Sequence, residues 1–83
     1  MSYSPTEQAI LVDLLIFDDD KSENIANRTG FHRNSVSRSA KSLVEEDHVV
    51  NKGGGVYRLT EKGRQAAAGL VLGGKLPYSE DGE

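Results

Sequence analysis

The chain has 83 residues, a formal net charge of −3 at pH 7 and no cysteine. This length fits one small domain, and the lack of cysteine excludes disulfides and thiolate metal sites. The longest apolar run, residues 9–17, is too short to cross a bilayer and is broken by Asp13. The first residues lack a signal-peptide pattern. We therefore expect a cytoplasmic protein with no membrane partner.

Charge is unevenly distributed along the chain. Residues 1–20 sum to −5, residues 21–64 to +4 and residues 65–83 to −2. The positive segment therefore coincides with the middle of the chain, and a polyanion would be attracted to that side only.

The first predicted element is a helix over residues 5–17. Ser4 can cap it, Pro5 fits its first position and Glu7 completes a capping box. The aspartates at 18–20 oppose the helix dipole, so we expect them to end the helix. Because their spacing is not that of a calcium loop, a solvated turn or a cap for the next helix is expected instead of a metal site.

A second helix and a glycine turn come next. Lys21 and Ser22 are candidates for a very short strand, and Ser22 also for the cap of a helix over residues 23–29. Gly30 supplies the left-handed conformation that a turn between helices requires, and Phe31 is expected to be a buried anchor. Two helices joined in this way form a helix-turn-helix unit.

The third helix, predicted over residues 33–46, has two chemically different faces. Apolar residues recur at helical spacing on one face, namely Val36, Ala40, Leu43 and Val44. The opposite face carries Asn34, Arg38 and Lys41, with Ser35, Ser37 and Ser42 on its flanks. Small hydrogen-bonding groups and cations in one row suit the base edges and phosphates of a nucleic acid.

His32 lies at or near the start of this helix. It can act as a polar cap, contact a phosphate, or form half of a metal site with His48. A metal would need further ligands that the sequence does not supply at a recognised spacing. We therefore expect a cap, and no metal or cofactor.

Residues 48–59 are predicted to form a β-hairpin. β-branched runs flank the glycines 53–55, and Asp47 before them tolerates a left-handed exit from the helix. A phosphate-binding loop would need a helix after its last glycine, whereas a strand follows here. A tip without side chains instead lets the backbone approach a sugar-phosphate surface, with Lys52 and Arg58 on either side.

The last predicted helix follows Thr60, its expected cap, and ends at the glycines 73–74. It is apolar on nearly all sides, which is more than the last helix of a small monomer needs to cover, so part of it is expected to meet a partner. The residues predicted at a homodimer interface are Ala67, Leu70 and Val71. Residues 73–83 are predicted to be a flexible acidic tail.

Four segments together resemble the winged helix-turn-helix family of prokaryotic and archaeal transcription regulators. They are IANRTG (25–30), NSVSR (34–38), LVEEDHV (43–49) and VYRLTEKG (56–63), similar to the family's helix turn, recognition-helix start, helix exit and wing closure. The acidic flanks are similar to small phage-repressor-like regulators of halophilic archaea. The resemblance implies an α+β, mainly α fold in residues 1–72: a three-helix bundle, a β-hairpin wing and a C-terminal helix.

Two departures from the family pattern concern the support of the third helix. Asp47-His48 replaces the usual Gly-Leu, and Ala40 stands where a larger Leu is common. Both departures are expected to affect the stability of the domain more than the exposed face of the third helix.

The resemblance also implies a function, that of a sequence-specific regulator of transcription that binds double-stranded DNA as a homodimeric repressor. The third helix would enter the major groove, where Asn34, Arg38 and Ser35 would contact base edges. Arg33, Ser37 and Lys41 would hold phosphates. Lys52 and Arg58 on the wing would reach the neighbouring minor groove or its backbone.

Other functions fit the sequence less well. A protein interaction module would be favoured by an exposed apolar third helix. RNA binding would be favoured by an aromatic stacking platform, but Tyr57 is the only aromatic residue of the hairpin. An enzyme is not expected, because two histidines and no cysteine supply no nucleophile-base pair or metal set.

Overall fold

The computed structural model describes residues 3–73. They form a mainly helical α+β structure whose elements are α1 (Pro5–Phe17), β1 (Asp20–Lys21), α2 (Ser22–Thr29), α3 (Arg33–Glu45), β2 (Val49–Gly53), β3 (Val56–Leu59) and α4 (Glu61–Leu72). The predicted α+β class and the predicted order of elements are confirmed. From residue 74 onward, the predicted tail lies outside the described residues.

Local capping groups determine most helix boundaries. Ser4 Oγ accepts a hydrogen bond from the Glu7 backbone N–H at 3.2 Å, and Glu7 Oε1 accepts one from the Ser4 N–H at 2.9 Å. Thr60 Oγ1 accepts from the Gly63 N–H at 3.0 Å at the start of α4. These bonds satisfy N–H groups that have no partner within the helix, which explains why α1 and α4 begin where the sequence predicts.

The start of α2 differs from the prediction. The prediction of Ser22 as a cap is wrong, because Ser22 is the first residue of α2 and follows Lys21, which is in extended conformation. The strand β1 is shifted by one residue from the predicted pair, because Asp20 and Lys21 are aligned with Tyr57 and Val56 of β3. The helix α3 also ends one residue earlier than predicted, at Glu45.

The three strands form an antiparallel sheet in the order β1-β3-β2. Val49 pairs with Leu59 and Asn51 with Tyr57, but Gly53 pairs with Val56, so Lys52 occupies a bulge. A bulge bends the strand and increases its twist. Lys52 is therefore displaced from the regular ladder next to the hairpin tip.

The hydrophobic core lies where the four helices meet the inner face of the sheet. Its fully buried members include Ile10, Leu11, Ile25, Val36, Ala40, Leu43 and Ala67. Phe31, predicted to be a buried anchor, is half-buried and packs against the edge of this core. None of the helices between residues 3 and 73 has the length and apolar character needed to cross a bilayer.

The exit of α3 is joined closely to the start of α4. Asp47 has φ 64°, the left-handed conformation predicted for it. His48 is 3% exposed, and its Nε2 is hydrogen-bonded to Tyr3 Oη at 2.8 Å. Its carbonyl oxygen accepts a hydrogen bond from the Thr60 N–H at 3.0 Å, so the polar His48 anchors this junction in place of an apolar residue.

Candidate nucleic-acid interface

One face of α3 is buried and the other is open to solvent. Val36, Ala40 and Leu43 have no exposed surface. At about 100° per residue, Asn34, Arg38 and Lys41 lie on the opposite side, and all three are exposed. The structure therefore brings these three predicted residues together on one surface.

The other predicted residues of α3 border this surface. Arg33, at the first position of the helix, is exposed, whereas Ser35 and Ser37 are half-buried on its flanks. The two hydroxyl groups are thus less accessible than the amide and the cations.

Residues at both ends of the turn before α3 control its direction. Thr29 Oγ1 donates to the Ile25 carbonyl at 2.6 Å, and Gly30 ends α2 with φ 84°. His32 then caps α3, because its Nδ1 accepts from the Asn34 N–H at 3.1 Å. The helix therefore starts at a fixed point, with Asn34 in its first turn.

The structure does not bring the two histidines together. Thirteen residues of α3 separate them, which is about 20 Å at 1.5 Å per residue. Within residues 3–73, no group of three or more His, Asp or Glu could hold a metal ion.

The hairpin tip is made of backbone with few side chains. Gly53, Gly54 and Gly55 all have φ between 65° and 100°, a region that glycine adopts without the steric penalty of a Cβ atom. The Asn51 side-chain oxygen accepts from the Gly53 N–H at 2.8 Å and stabilises the turn. Lys52 is exposed beside this tip, as a contact with a nucleic-acid backbone would require.

Arg58 lies in a different environment from Lys52. Its Nε and Nη2 donate to the two carboxylate oxygens of Asp19 at 2.6 and 2.9 Å. This hydrogen-bonded contact lowers the pKa of Asp19 and raises that of Arg58. The predicted wing contact Arg58 is therefore already occupied by a carboxylate from the connection between α1 and β1.

A second arginine holds two buried carboxylates near the end of α1. Arg28 Nε donates to Asp13 Oδ1 at 3.0 Å, and its Nη2 contacts Asp20 Oδ2. That second contact lacks hydrogen-bond geometry, so we treat it as a charge contact. The guanidinium also lies 4.1 Å from the centre of the Phe17 ring. The prediction of a solvated turn at residues 18–20 is therefore wrong for Asp20, which is 7% exposed.

These ion pairs change the charge pattern expected from the sequence. Within residues 3–73, ion pairs involve Arg28 and Arg58 but not the cations of α3 or Lys52. The acids Glu45, Glu46 and Asp47 lie at the opposite end of α3 and are exposed. Among residues 3–73, exposed cations outside these ion pairs therefore lie on α3 and at the hairpin tip, and also at Lys21, Lys62 and Arg64.

The predicted dimer residues on α4 differ in their surroundings. Ala67 is fully buried in the core of its own chain, so its assignment to an interface is wrong. Leu70 and Val71 are half-buried, and Leu72 is 82% exposed. Sequence periodicity could not separate these positions, because α4 carries small or apolar residues on nearly every side.

Comparison of the sequence with models of known protein families gave no match, and comparison with curated proteins gave none either. Any functional assignment therefore rests on the side chains and charges of the chain itself and on the sequence segments compared above with the winged helix-turn-helix pattern.

Proposed function

We propose that this protein is a regulator of transcription of the winged helix-turn-helix type that binds double-stranded DNA sequence-specifically as a homodimeric repressor. The main support is the surface of α3, which exposes Asn34, Arg38 and Lys41 while its opposite face is fully buried. Its repressor role rests on the resemblance of the sequence to phage-repressor-like regulators.

In the proposed complex, α3 enters the major groove by its first half. The Asn34 amide can form two hydrogen bonds with an adenine edge, and the Arg38 guanidinium two with guanine. Arg33 and Lys41 contact the phosphates on either side, because both are exposed cations next to these residues. The acids at the far end of α3 repel phosphates, so this end of the helix lies outside the groove in the proposed complex.

The β2–β3 hairpin is the proposed wing. Its glycine tip allows the backbone to come close to a sugar-phosphate surface, and the exposed Lys52 supplies a phosphate contact. Three phosphate-binding cations, Arg33, Lys41 and Lys52, predict a modest salt dependence. Because the proposed homodimer carries each of these cations twice, log affinity should fall with log salt with a slope of about −5.

The competing assignment is a protein interaction module that packs another protein on α3. Such a surface would carry exposed aromatic or aliphatic anchors. The outward face of α3 carries an amide, cations and hydroxyl groups instead, which favours DNA.

Selection of duplexes from a random pool, followed by fluorescence anisotropy, tests the proposal. Arg38→Ala should weaken binding to the selected duplex by about 1–3 kcal/mol and relax the preference at one position. Lys52→Ala should weaken all duplexes alike and make the salt slope shallower by about two, one contact for each subunit of the dimer. Lys62→Ala, which removes an exposed cation of α4, is the matched control and should change neither quantity.

Two results would count against the proposal. One is a wild-type protein that binds selected and scrambled duplexes equally. The other is an Arg38→Ala variant that keeps the wild-type sequence preference.

A further inference from the structure

The helix α1 is apolar on the side that faces away from the core as well as on the side that faces it. Ile10, Leu11 and Leu14 are buried. On the opposite side, Ala9 and Val12 are half-buried and Ile16 is 63% exposed. A helix that is hydrophobic all round is normally covered on all sides.

The outward residues of α1 have the spacing of a helix-packing seam. Ala9, Val12 and Ile16 follow one another at intervals of three and four, as do the a and d positions of a coiled coil. We call these three residues the α1 stripe. The positions beside it are held by Gln8, Leu15 and Asp13, and the Asp13 carboxylate is directed to Arg28.

A shallow groove runs along the α1 stripe. It has a volume of about 280 Å³ and is lined by the stripe itself and by Asp13, Phe17, Arg28 and Thr29. The end of α2 therefore forms the second wall of a surface that can receive an apolar side chain.

We propose that a second copy of this chain covers the α1 stripe, with the two α1 helices packed antiparallel about a twofold axis at Val12. In this arrangement Ala9 of each copy lies opposite Ile16 of the other. A small residue thus faces a large one, and the Ile16 side chain enters the groove beside Ala9. This inference rests on the proposed function only for the existence of a homodimer, and it adds which surface forms that homodimer.

Symmetry and charge favour a second copy over another occupant. A twofold interface requires a patch that complements itself. The α1 stripe runs from a small residue through a medium one to a large one, so it complements a second α1 stripe that runs in the opposite direction. Two copies with a net charge of −3 repel each other, so their contact is best made where unpaired charges are lacking. Among the described residues, the α1 stripe meets this condition.

The α4 surface is a weaker candidate for the same role. Ala67 is in the core, and the strong exposure on that helix is confined to Leu72 at its end. Leu70, Val71 and Leu72 are consecutive residues about 100° apart around the helix, so they lack the three-and-four spacing of a seam.

The expected dimer is weak. A stable interface buries about 800 Å² per partner, and one seam of three residues supplies only part of that area. We therefore expect dissociation in the micromolar range.

Sedimentation of the whole protein without DNA tests the interface. At concentrations of about 100 micromolar, the wild-type mass should approach twice 9.0 kDa. Ile16→Glu should remain at the monomer mass, whereas Leu72→Glu, the same change on α4, should leave the dimer intact. Circular dichroism of each variant confirms that it is folded. A wild-type monomer at all concentrations, or a dimer broken by Leu72→Glu and kept by Ile16→Glu, would overturn the inference.

The lack of native cysteine allows a test of the helix direction. Val12→Cys should form an intermolecular disulfide on mild oxidation, since the twofold axis brings the two positions together. Ala9→Cys and Ile16→Cys should cross-link with each other more than each does with itself. The reverse preference would indicate parallel helices and refute the arrangement.

The two proposals fail separately. A monomeric protein that still selects a duplex would refute the α1 interface and leave DNA recognition standing. A dimer through α1 that binds no duplex would refute DNA recognition and leave the α1 interface standing.

Discussion

Gly63, in the first turn of α4, lies directly against the backbone carbonyl of His48. A Cβ atom at Gly63 would stand 1.8 Å from the His48 carbonyl oxygen and 2.8 Å from its carbon. Because an ordinary contact starts at 3.4 Å, Gly63→Ala would require the two segments to separate by about 1.6 Å. Both partners are backbone, so no side-chain rotation can relieve the clash.

The cost of Gly63→Ala follows from what the separation breaks. Overpacking of this kind costs about 1–3 kcal/mol. Moving the His48 carbonyl also weakens its hydrogen bond from Thr60, worth about 1 kcal/mol, while the better helix propensity of alanine returns up to about 1 kcal/mol. The net loss is about 1–4 kcal/mol, which lowers the melting temperature of a domain of this size by about 4 °C or more.

Gly69→Ala in the same helix is the matched control. Among the described residues, nothing lies within 4 Å of a Cβ atom at Gly69. Alanine there should stabilise α4 by about 0.5–1 kcal/mol and raise the melting temperature by a few degrees. Thermal melts followed at 222 nm measure both variants. A Gly63→Ala protein that melts with the wild type, or two variants that shift in the same direction, would refute this reasoning.

Three further predictions concern the arginine pairs. Arg28→Ala leaves two buried carboxylates without their partner and should cost about 3 kcal/mol in urea unfolding; unchanged stability would show that the carboxylates are balanced in another way. Because the hydrogen bond from Arg58 lowers the pKa of Asp19, their pair stabilises the fold fully above the ordinary value of 3.8 and is lost as pH falls through the lowered value. Melting temperatures of wild type and Asp19→Asn should therefore differ at pH 5 and converge as the pH falls through the lowered pKa of Asp19, and a constant difference would contradict this. Since Asp19 occupies the Arg58 guanidinium, Arg58→Ala should reduce duplex affinity less than Lys52→Ala in anisotropy titrations; a larger loss would mean that Arg58 leaves Asp19 on binding.

The parts of the fold that the sequence predicts well depend on near neighbours. The capping box of Ser4 and Glu7 spans three residues, and the turn at Gly30 depends on that residue's own conformation. The sequence predicts the two-residue strand β1 one position too far along the chain, because the strand is defined by its pairing with Tyr57 and Val56. No local pattern near residue 20 carries that information.

The candidate site likewise contains residues whose position the sequence predicts and a contact that it does not predict. Helical periodicity places Asn34, Arg38 and Lys41 on one side of α3, since a regular helix converts spacing into direction. The partner of Arg58 lies 39 residues away, and the sequence shows only that Asp19 has the opposite charge. Such a pair becomes predictable only once the path of the chain is known.

These distant pairs also explain how an acidic protein can present a basic surface. Three of the five acids in residues 1–20, namely Asp13, Asp19 and Asp20, contact Arg28 or Arg58. The negative segment thus neutralises the two arginines that lie off α3 and leaves the cations of α3 and the hairpin tip without such partners among residues 3–73. If the proposed function holds, the local potential of α3 should govern duplex binding more strongly than the net charge of −3. Neutralising the exposed Glu61, in the first turn of α4, should then change affinity less than neutralising Lys41 on the exposed face of α3.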